Sequence, residues 1–173
     1  MVLSILPVIV TFSAVLTSLF EKIGWYVWLQ EIVVPFESRL VAVIVKTVDI
    51  TAKVSPGSDF SMVLVKGSEF IPIKLEWNCL GWQSMILLIV TFITGLRGDH
   101  AFFSKVETIL IGVLGTFLIN LFRMALIVSL AYYWNSLAAV IIHDYFASLV
   151  AIFWMIFFWW FSYRYILEPK STE

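Results

Sequence analysis

The sequence predicts an all-α integral membrane helical bundle of about four to six membrane helices, with a small extracytoplasmic β-hairpin. Of the 173 residues, 61% are hydrophobic and the mean hydropathy is +0.98. Only 13% are charged, against roughly 25% in an ordinary soluble domain. Long uncharged apolar runs recur as well, and a helix needs about 20 such residues to cross a hydrocarbon core of ~30 Å. We therefore expect one membrane domain over residues 1–173.

Four apolar segments meet or approach that length. They cover residues 2–20, 80–96, 106 to about 134, and roughly 145–163. The first segment has no basic stretch before it and no small-x-small cleavage site after it, so we expect a retained span rather than a signal peptide.

Residues 21–54 leave two interpretations open. Arg39, Lys46 and Lys53 recur every seven residues among Val and Ile, a spacing that puts three cations on one face of a helix. The pattern fits an interfacial or partly inserted amphipathic helix. It fits equally well a tilted span whose lysines extend to the interface.

A β-hairpin is predicted within residues 55–78. The cluster Ser55-Pro56-Gly57-Ser58-Asp59 breaks regular structure, and β-branched, alternating residues at 62–65 and 70–77 indicate short strands. Lys66-Gly67-Ser68 supplies the turn between the two strands. The hairpin stands directly before Cys79, where a three-helix core over residues 79–165 is expected to begin.

Charge and cysteine content exclude several classes of protein. The formal net charge is -1, and without a polybasic face we expect no nucleic-acid partner. Cys79 is the single cysteine, which excludes an internal disulfide, a CxxC redox pair and a zinc-thiolate site. No cluster with metal-ligand spacing accompanies His143 or His100, so we expect no metal site.

Arg123 is the polar residue that hydrophobicity explains least. It lies inside the third apolar segment, where an arginine costs about 2.5–3.5 kcal/mol on insertion scales and is a functional candidate by default. Asn120 stands one turn earlier on the same helical face. The alternative is a structural role, as a charge extending to the interface or a polar clamp between helices.

Alternation of the spans predicts that Cys79, Arg123 and His143 meet on one side of the membrane. Counting ~1.5 Å per residue from position 106, Arg123 lies about 25 Å along a ~30 Å core, near the side on which Cys79 starts its span. His143 comes just before the last span, on that same side. Basic residues near the other span ends indicate that the opposite side is cytoplasmic: Arg97, Lys105, Arg164 and Lys170.

Each of these residues also has an ordinary explanation. A lone Cys at a helix start is usually a small packing residue, and His143 beside Asp144 is compatible with an interfacial polar pair. A helix N-terminus and a nearby cation, however, both lower the pKa of a thiol, and the thiolate is the reactive form. Cys79 is therefore a candidate nucleophile.

Three short motifs resemble the signature of the exosortase/archaeosortase family. That signature has a Cys at the head of one span, an Asn-x-x-Arg in the next span and a His heading the last one. The matching residues here are Asn78-Cys79-Leu80-Gly81, Asn120-Leu121-Phe122-Arg123 and His143. The resemblance covers about residues 39–163. It departs at Leu80, where the family usually has Ser, and at Ala147 and Ser148, near which many members have Gly.

The resemblance implies a membrane-embedded cysteine transpeptidase or protease that needs no cofactor. Cys79, Arg123 and His143 would be catalytic and Asn120 supporting. Substrates would be secreted proteins with a C-terminal sorting signal, consisting of a short motif, a membrane helix and a basic tail. The acyl group would pass through a thioester to a surface or lipid acceptor, or to water. The expected location is a prokaryotic cell membrane, with several spans and an extracytoplasmic site.

Two other functional classes stay open at this point. A small channel or transporter subunit would use Asn120 and Arg123 as a polar seam, so that Cys79→Ala is silent while Arg123→Ala alters flux. A non-enzymatic membrane scaffold would respond to substitutions only through folding. Trp77 and Trp82 either line the substrate cleft or anchor the chain at the membrane interface, and we expect the anchoring role.

Overall fold

The computed structural model describes residues 15, 17–19, 21–54, 61–75, 77–134 and 136–169. The chain forms two compact units, Met1–Gln83 and Ser84–Glu173. Most of the predicted span over residues 2–20 lies outside the described residues.

The helical part of the first unit contains a π-helical turn between two α-helical stretches. Helix α1 is Trp25–Trp28, the π-helical turn is Leu29–Val33 and helix α2 is Val34–Lys46. Pro35 stands in the first turn of α2; because it has no N–H, it cannot donate to a carbonyl of the π-helical turn that precedes it. The chain leaves α2 through Asp49, which has a positive φ of 60°.

A three-stranded antiparallel sheet completes the first unit. Its strands are β1 (Thr51–Val54), β2 (Met62–Lys66) and β3 (Glu69–Ile73), in the order β1-β2-β3. The predicted hairpin is confirmed: β2 and β3 pair from Met62↔Ile73 to Lys66↔Glu69. Gly67 has a φ of 62° in the two-residue turn between them, a conformation that favours glycine.

Strand β1 corrects the sequence prediction for residues 21–54. Lys53 was expected on a helix face with Arg39 and Lys46, but α2 ends at Lys46 and Lys53 lies in β1 opposite Val63. The turn at Asp49 ends the helix, and the β-branched residues after it can then pair with β2. The sheet packs on α2, and the shared core is fully buried, at 0% exposure: Val41, Val45, Ile50, Met62 and Leu64.

The second unit is built from three apolar helices. These are α3 (Trp82–Gly95, whose first two residues belong to the first unit), α4 (Phe102–Tyr133) and α5 (Ser136–Phe161), which continues into a π-helical turn at Ser162–Ile166. Among the residues that the structure describes, two helical stretches are long and apolar enough to cross a membrane, Phe102–Tyr133 and Leu149–Ile166.

Helix α3 is shorter than the span predicted over residues 80–96. Its 14 residues reach about 21 Å, less than a ~30 Å hydrocarbon core. The helix starts late because a 3-10 turn occupies Trp77–Leu80 and Gly81 follows with a φ of 68°.

Helices α4 and α5 pack as a close antiparallel pair. Gly112 of α4 faces Phe158 of α5. Thr116 lies one turn later in α4 and bonds Trp154, which lies one turn earlier in α5. A side chain at Gly112 would press on Phe92 and Phe158, with its Cβ 2.7 Å and 2.9 Å from their ring atoms. Small residues that let backbones approach in this way are typical of helices packed within membranes.

The buried face of α4 follows a four-residue spacing. Its members are small or polar in the first half of the helix and larger in the second: Ser104, Thr108, Gly112, Thr116, Asn120, Met124 and Val128. The central core of the unit lies between the three helices and consists of Leu88, Met155 and Phe158.

Candidate functional site

A small open cleft in the second unit gathers the polar residues of α4. Its cavity volume is about 10 Å³, enough for about one water molecule. One residue of α3, four of α4 and three of α5 line it: Ser84, Thr116, Ile119, Asn120, Arg123, Val150, Ala151 and Trp154.

Trp154 forms a fixed wall of this cleft. Its indole nitrogen donates a 2.9 Å hydrogen bond to Thr116 Oγ1. Behind the ring lies Gly115, where a Cβ atom would overlap the indole carbon Cζ2. The bond and the close backbone approach together define the position of the ring.

Arg123 and Asn120 share the cleft, which confirms the prediction that they lie on one helix face. Arg123 is half-buried and Asn120 is buried, at 7% exposure. The Nε atom of Arg123 and the Oδ1 atom of Asn120 are both shielded from solvent. Asn120 Nδ2 also donates to the sulfur of Met124 at 3.5 Å, a contact that helps to fix the orientation of the amide.

This combination of groups is suited to an oxygen-rich partner. A guanidinium offers five N–H donors in a fixed fork, and the amide and the Ser84 hydroxyl add further polar positions. Ile119, Val150 and Ala151 supply apolar walls, where charge-assisted hydrogen bonds are stronger than in water. The cleft is far smaller than a site for a whole small molecule and is large enough for about one oxygen atom.

Cys79 belongs to the first unit. It is the third residue of the 3-10 turn Trp77–Leu80 and is half-buried. The thiol was expected at the start of a long helix, but α3 begins three residues later, after Gly81. The helix-dipole argument for Cys79 is weaker for this reason.

Two tryptophans frame that turn instead of anchoring a membrane interface. Trp77 and Trp82 are buried, at 7% and 6% exposure, and their rings stack with centroids 5.5 Å apart. The interpretation of these residues as interfacial anchors is wrong, because stacking and burial in the first unit leave neither ring exposed.

Gln30 is a residue of this region that sequence reasoning missed. From the π-helical turn, its Oε1 accepts a 2.9 Å hydrogen bond from the backbone N–H of Trp77. In the sequence, Gln30 is recognisable only as an amide within an otherwise apolar stretch. The neighbouring residues do not indicate which residue it bonds, because that partner is 47 residues away.

His143 lies within helix α5, not in a connection before the last span as predicted. The helix begins at Ser136, so His143 is in its third turn. The apolar, helix-favouring residues 137–142 extend the helix toward α4. The side chain of His143 is outside the described part of the structure, and the gathering of Cys79, Arg123 and His143 stays a prediction.

His100, interpreted as a loop residue, forms an isolated antiparallel bridge with Pro169. Within the described residues, no three metal-ligating side chains of the types His, Cys, Asp and Glu come together.

Comparison with known proteins gives no match for this chain: no family model, no curated protein and no solved structure is significantly similar to it.

Proposed function

We propose that this protein is a membrane-embedded cysteine transpeptidase or protease, which cleaves C-terminal sorting signals of secreted proteins and transfers the product to a surface or lipid acceptor. The observation that carries the proposal is the cleft in which Arg123 and Asn120 lie together, with Ser84 on its rim. The resemblance of the Cys79, Asn120–Arg123 and His143 motifs to the exosortase/archaeosortase family supports the same assignment.

The arrangement of side chains on α4 supports a membrane location. Its buried stripe is small or polar in the half from Ser104 to Asn120, whereas large apolar residues project from the exterior. Four of these follow each other every four residues and are 57%, 59%, 61% and 58% exposed: Leu110, Leu114, Leu118 and Phe122. In water such a stripe would be a large unfavourable apolar patch. Lipid solvates it at no such cost, and small residues inside favour packing between membrane helices.

The position of His143 along α5 supports the proposal. His143 stands seven residues, or about two turns, before Val150, which lines the cleft. The Thr116–Trp154 bond sets the register of the two helices. Because the two helices run antiparallel, His143 of α5 lies level with the α4 residue that comes four positions after Arg123. At ~1.5 Å rise per residue, the backbone positions of His143 and Arg123 then differ by about 6 Å along the helix axis.

The proposed chemistry has two steps. His143 takes the proton of the Cys79 thiol, and the thiolate attacks the scissile carbonyl carbon while Arg123 stabilises the negative oxygen that forms. His143 then gives that proton to the leaving amine as the C–N bond breaks. A thioester remains. An acceptor amine, hydroxyl or water then attacks this thioester after losing its proton to His143, and the Cys79 thiol is released.

The side-chain hydroxyls of α4 favour an enzyme over a channel. Thr108 and Ser104 donate their hydroxyls to backbone carbonyls of their own helix at 2.7 Å and 3.0 Å, and Thr116 bonds Trp154. These hydroxyls take part in packing contacts, whereas a conducting path needs them directed to water.

The test is processing of a substrate in cells. The protein is co-expressed with secreted proteins from its source genome that end in a short motif, an apolar helix and a basic tail, and their intact masses are measured. We expect a mass loss with wild type and with Thr47→Val, whose exposed hydroxyl bonds Ile44 O at 2.6 Å, and no mass loss with Cys79→Ala. Hydroxylamine should release the acyl group from wild type. Processing that persists with Cys79→Ala would end the assignment.

A further inference from the structure

Gln30 bonds the backbone at the entrance to the turn that carries Cys79. Its Oε1 accepts from Trp77 N at 2.9 Å, and its Nε2 lies 3.5 Å from Leu75 O, near the limit of a hydrogen bond. Trp77 is the first residue of the 3-10 turn, and the first N–H groups of a helical turn have no partner within it. A side chain 47 residues earlier in the sequence supplies that partner.

Gln30 is the second residue of the π-helical turn Leu29–Val33. Short π-helical turns are frequent at functional sites. In this protein, the π-helical turn presents Gln30 to the segment that leads into Cys79.

Further hydrogen bonds and ring contacts hold the segment that leads into Cys79. Ser61 Oγ donates to Leu75 O at 2.9 Å and accepts from Leu75 N at 3.2 Å. The Trp77 ring lies between Tyr26, at 6.1 Å, and Trp82, at 5.5 Å between centroids. The turn is therefore fixed at its first residue by Gln30 and by aromatic contacts.

We propose that Gln30 is a positioning residue for Cys79: through Trp77 N it sets the conformation of the 3-10 turn, and with it the orientation and environment of the thiol. The inference rests on the proposed function in so far as Cys79 is the nucleophile. Gln30 itself touches neither substrate nor sulfur.

Alkylation of Cys79 tests this without any substrate. Because Cys79 is the single cysteine, iodoacetamide reports on one thiol, and its rate is followed from pH 5 to pH 10 by intact mass on the full chain in detergent. Gln30→Met keeps the size of the side chain and removes both contacts. We expect its alkylation rate to change at least twofold and its pH–rate profile to differ from that of wild type.

Thr47→Val is the matched control, because it also removes a side-chain bond to a backbone carbonyl in the first unit. Its alkylation profile should equal that of wild type. If Gln30→Met does not give folded protein, Gln30→Asn replaces it, since it keeps the amide but is one methylene too short to reach Trp77 N. A profile within twofold of wild type at every pH, in a folded Gln30 variant, would overturn the positioning role.

The two proposals fail in different ways. An unchanged alkylation profile in the Gln30 variant, together with processing abolished by Cys79→Ala, removes the role of Gln30 and keeps the enzyme. A changed profile, together with processing that survives Cys79→Ala, removes the enzyme and keeps the structural dependence of the turn on Gln30.

Discussion

The indole nitrogen of Trp154 donates a 2.9 Å hydrogen bond to Thr116 Oγ1, which joins α5 to α4 directly beneath Asn120 and Arg123. Thr116 and Trp154 both line the cleft, so this bond, together with the close approach of Trp154 to Gly115, helps to fix the helix pair and the shape of the candidate site. Changes to this pair should affect stability and activity together.

Thr116→Val should lower the free energy of unfolding by about 1–3 kcal/mol, because it leaves the Trp154 N–H without its acceptor in a packed interior. Chemical denaturation in detergent measures the loss. The control is Thr94→Val, where an exposed hydroxyl bonds Thr91 O at 3.1 Å; we expect a change of less than about 0.5 kcal/mol there. Equal losses in the two variants would contradict the role of the Thr116–Trp154 bond.

Gly115→Ala should displace the Trp154 ring, because the added Cβ would overlap Cζ2. We expect a loss of about 1–3 kcal/mol from overpacking, together with a loss of substrate processing. Gly95→Ala is the matched control, since its Cβ would overlap the ring of Trp159 instead. It should destabilise by a similar amount and leave processing per folded molecule intact. Equal processing by the two variants would show that the Trp154 wall does not shape the site.

Arg123→Lys should reduce kcat for processing by roughly 10²–10³-fold while KM changes little, because an ammonium cannot reproduce the fork of donors aimed at a developing oxyanion. Steady-state kinetics on a processed substrate measures this. Asn120→Ala should have a smaller effect, since the amide acts through Arg123. An Arg123→Ala variant that changes ion flux, beside a silent Cys79→Ala, would instead favour the channel.

Gly81→Ala should alter the reactivity of Cys79. Gly81 has a φ of 68° two residues after the thiol, and an L-residue held there costs about 1–2 kcal/mol. We expect the strain to distort the 3-10 turn and change the rate of Cys79 alkylation at least twofold. Gly67→Ala imposes similar strain at a φ of 62° in the hairpin turn, with no atom within 4 Å of the added Cβ. It should leave alkylation unchanged.

Leu118→Lys tests whether the exterior of α4 faces lipid. Leu118 is 61% exposed near the middle of the helix, where a lysine would cost about 2.5–3.5 kcal/mol in a bilayer. We expect reduced membrane insertion, measured as the fraction of chain resistant to alkaline extraction. Phe103→Lys, at an 85% exposed position in the first turn, lets the amine reach the interface and should insert normally. Insertion unaffected by Leu118→Lys would argue against a lipid-facing surface.

Local patterns in the sequence were sufficient for several elements. The apolar runs of α4 and α5 and the alternation around Gly67 predicted long helices and a hairpin, because periodicity within one segment reflects which of its faces is buried. The three-residue spacing of Asn120 and Arg123 likewise placed both on one face, since a helix repeats every 3.6 residues.

Tertiary structure decided what depends on two distant segments. Lys53 became part of a strand because β2 was available to pair with it, and the cleft around Arg123 took its shape from Trp154 on another helix. The contact of Gln30 with Trp77 N spans 47 residues and leaves no repeat or motif in either segment. Such contacts are fixed only when packing brings the segments together, because neither segment alone carries the geometry of the other.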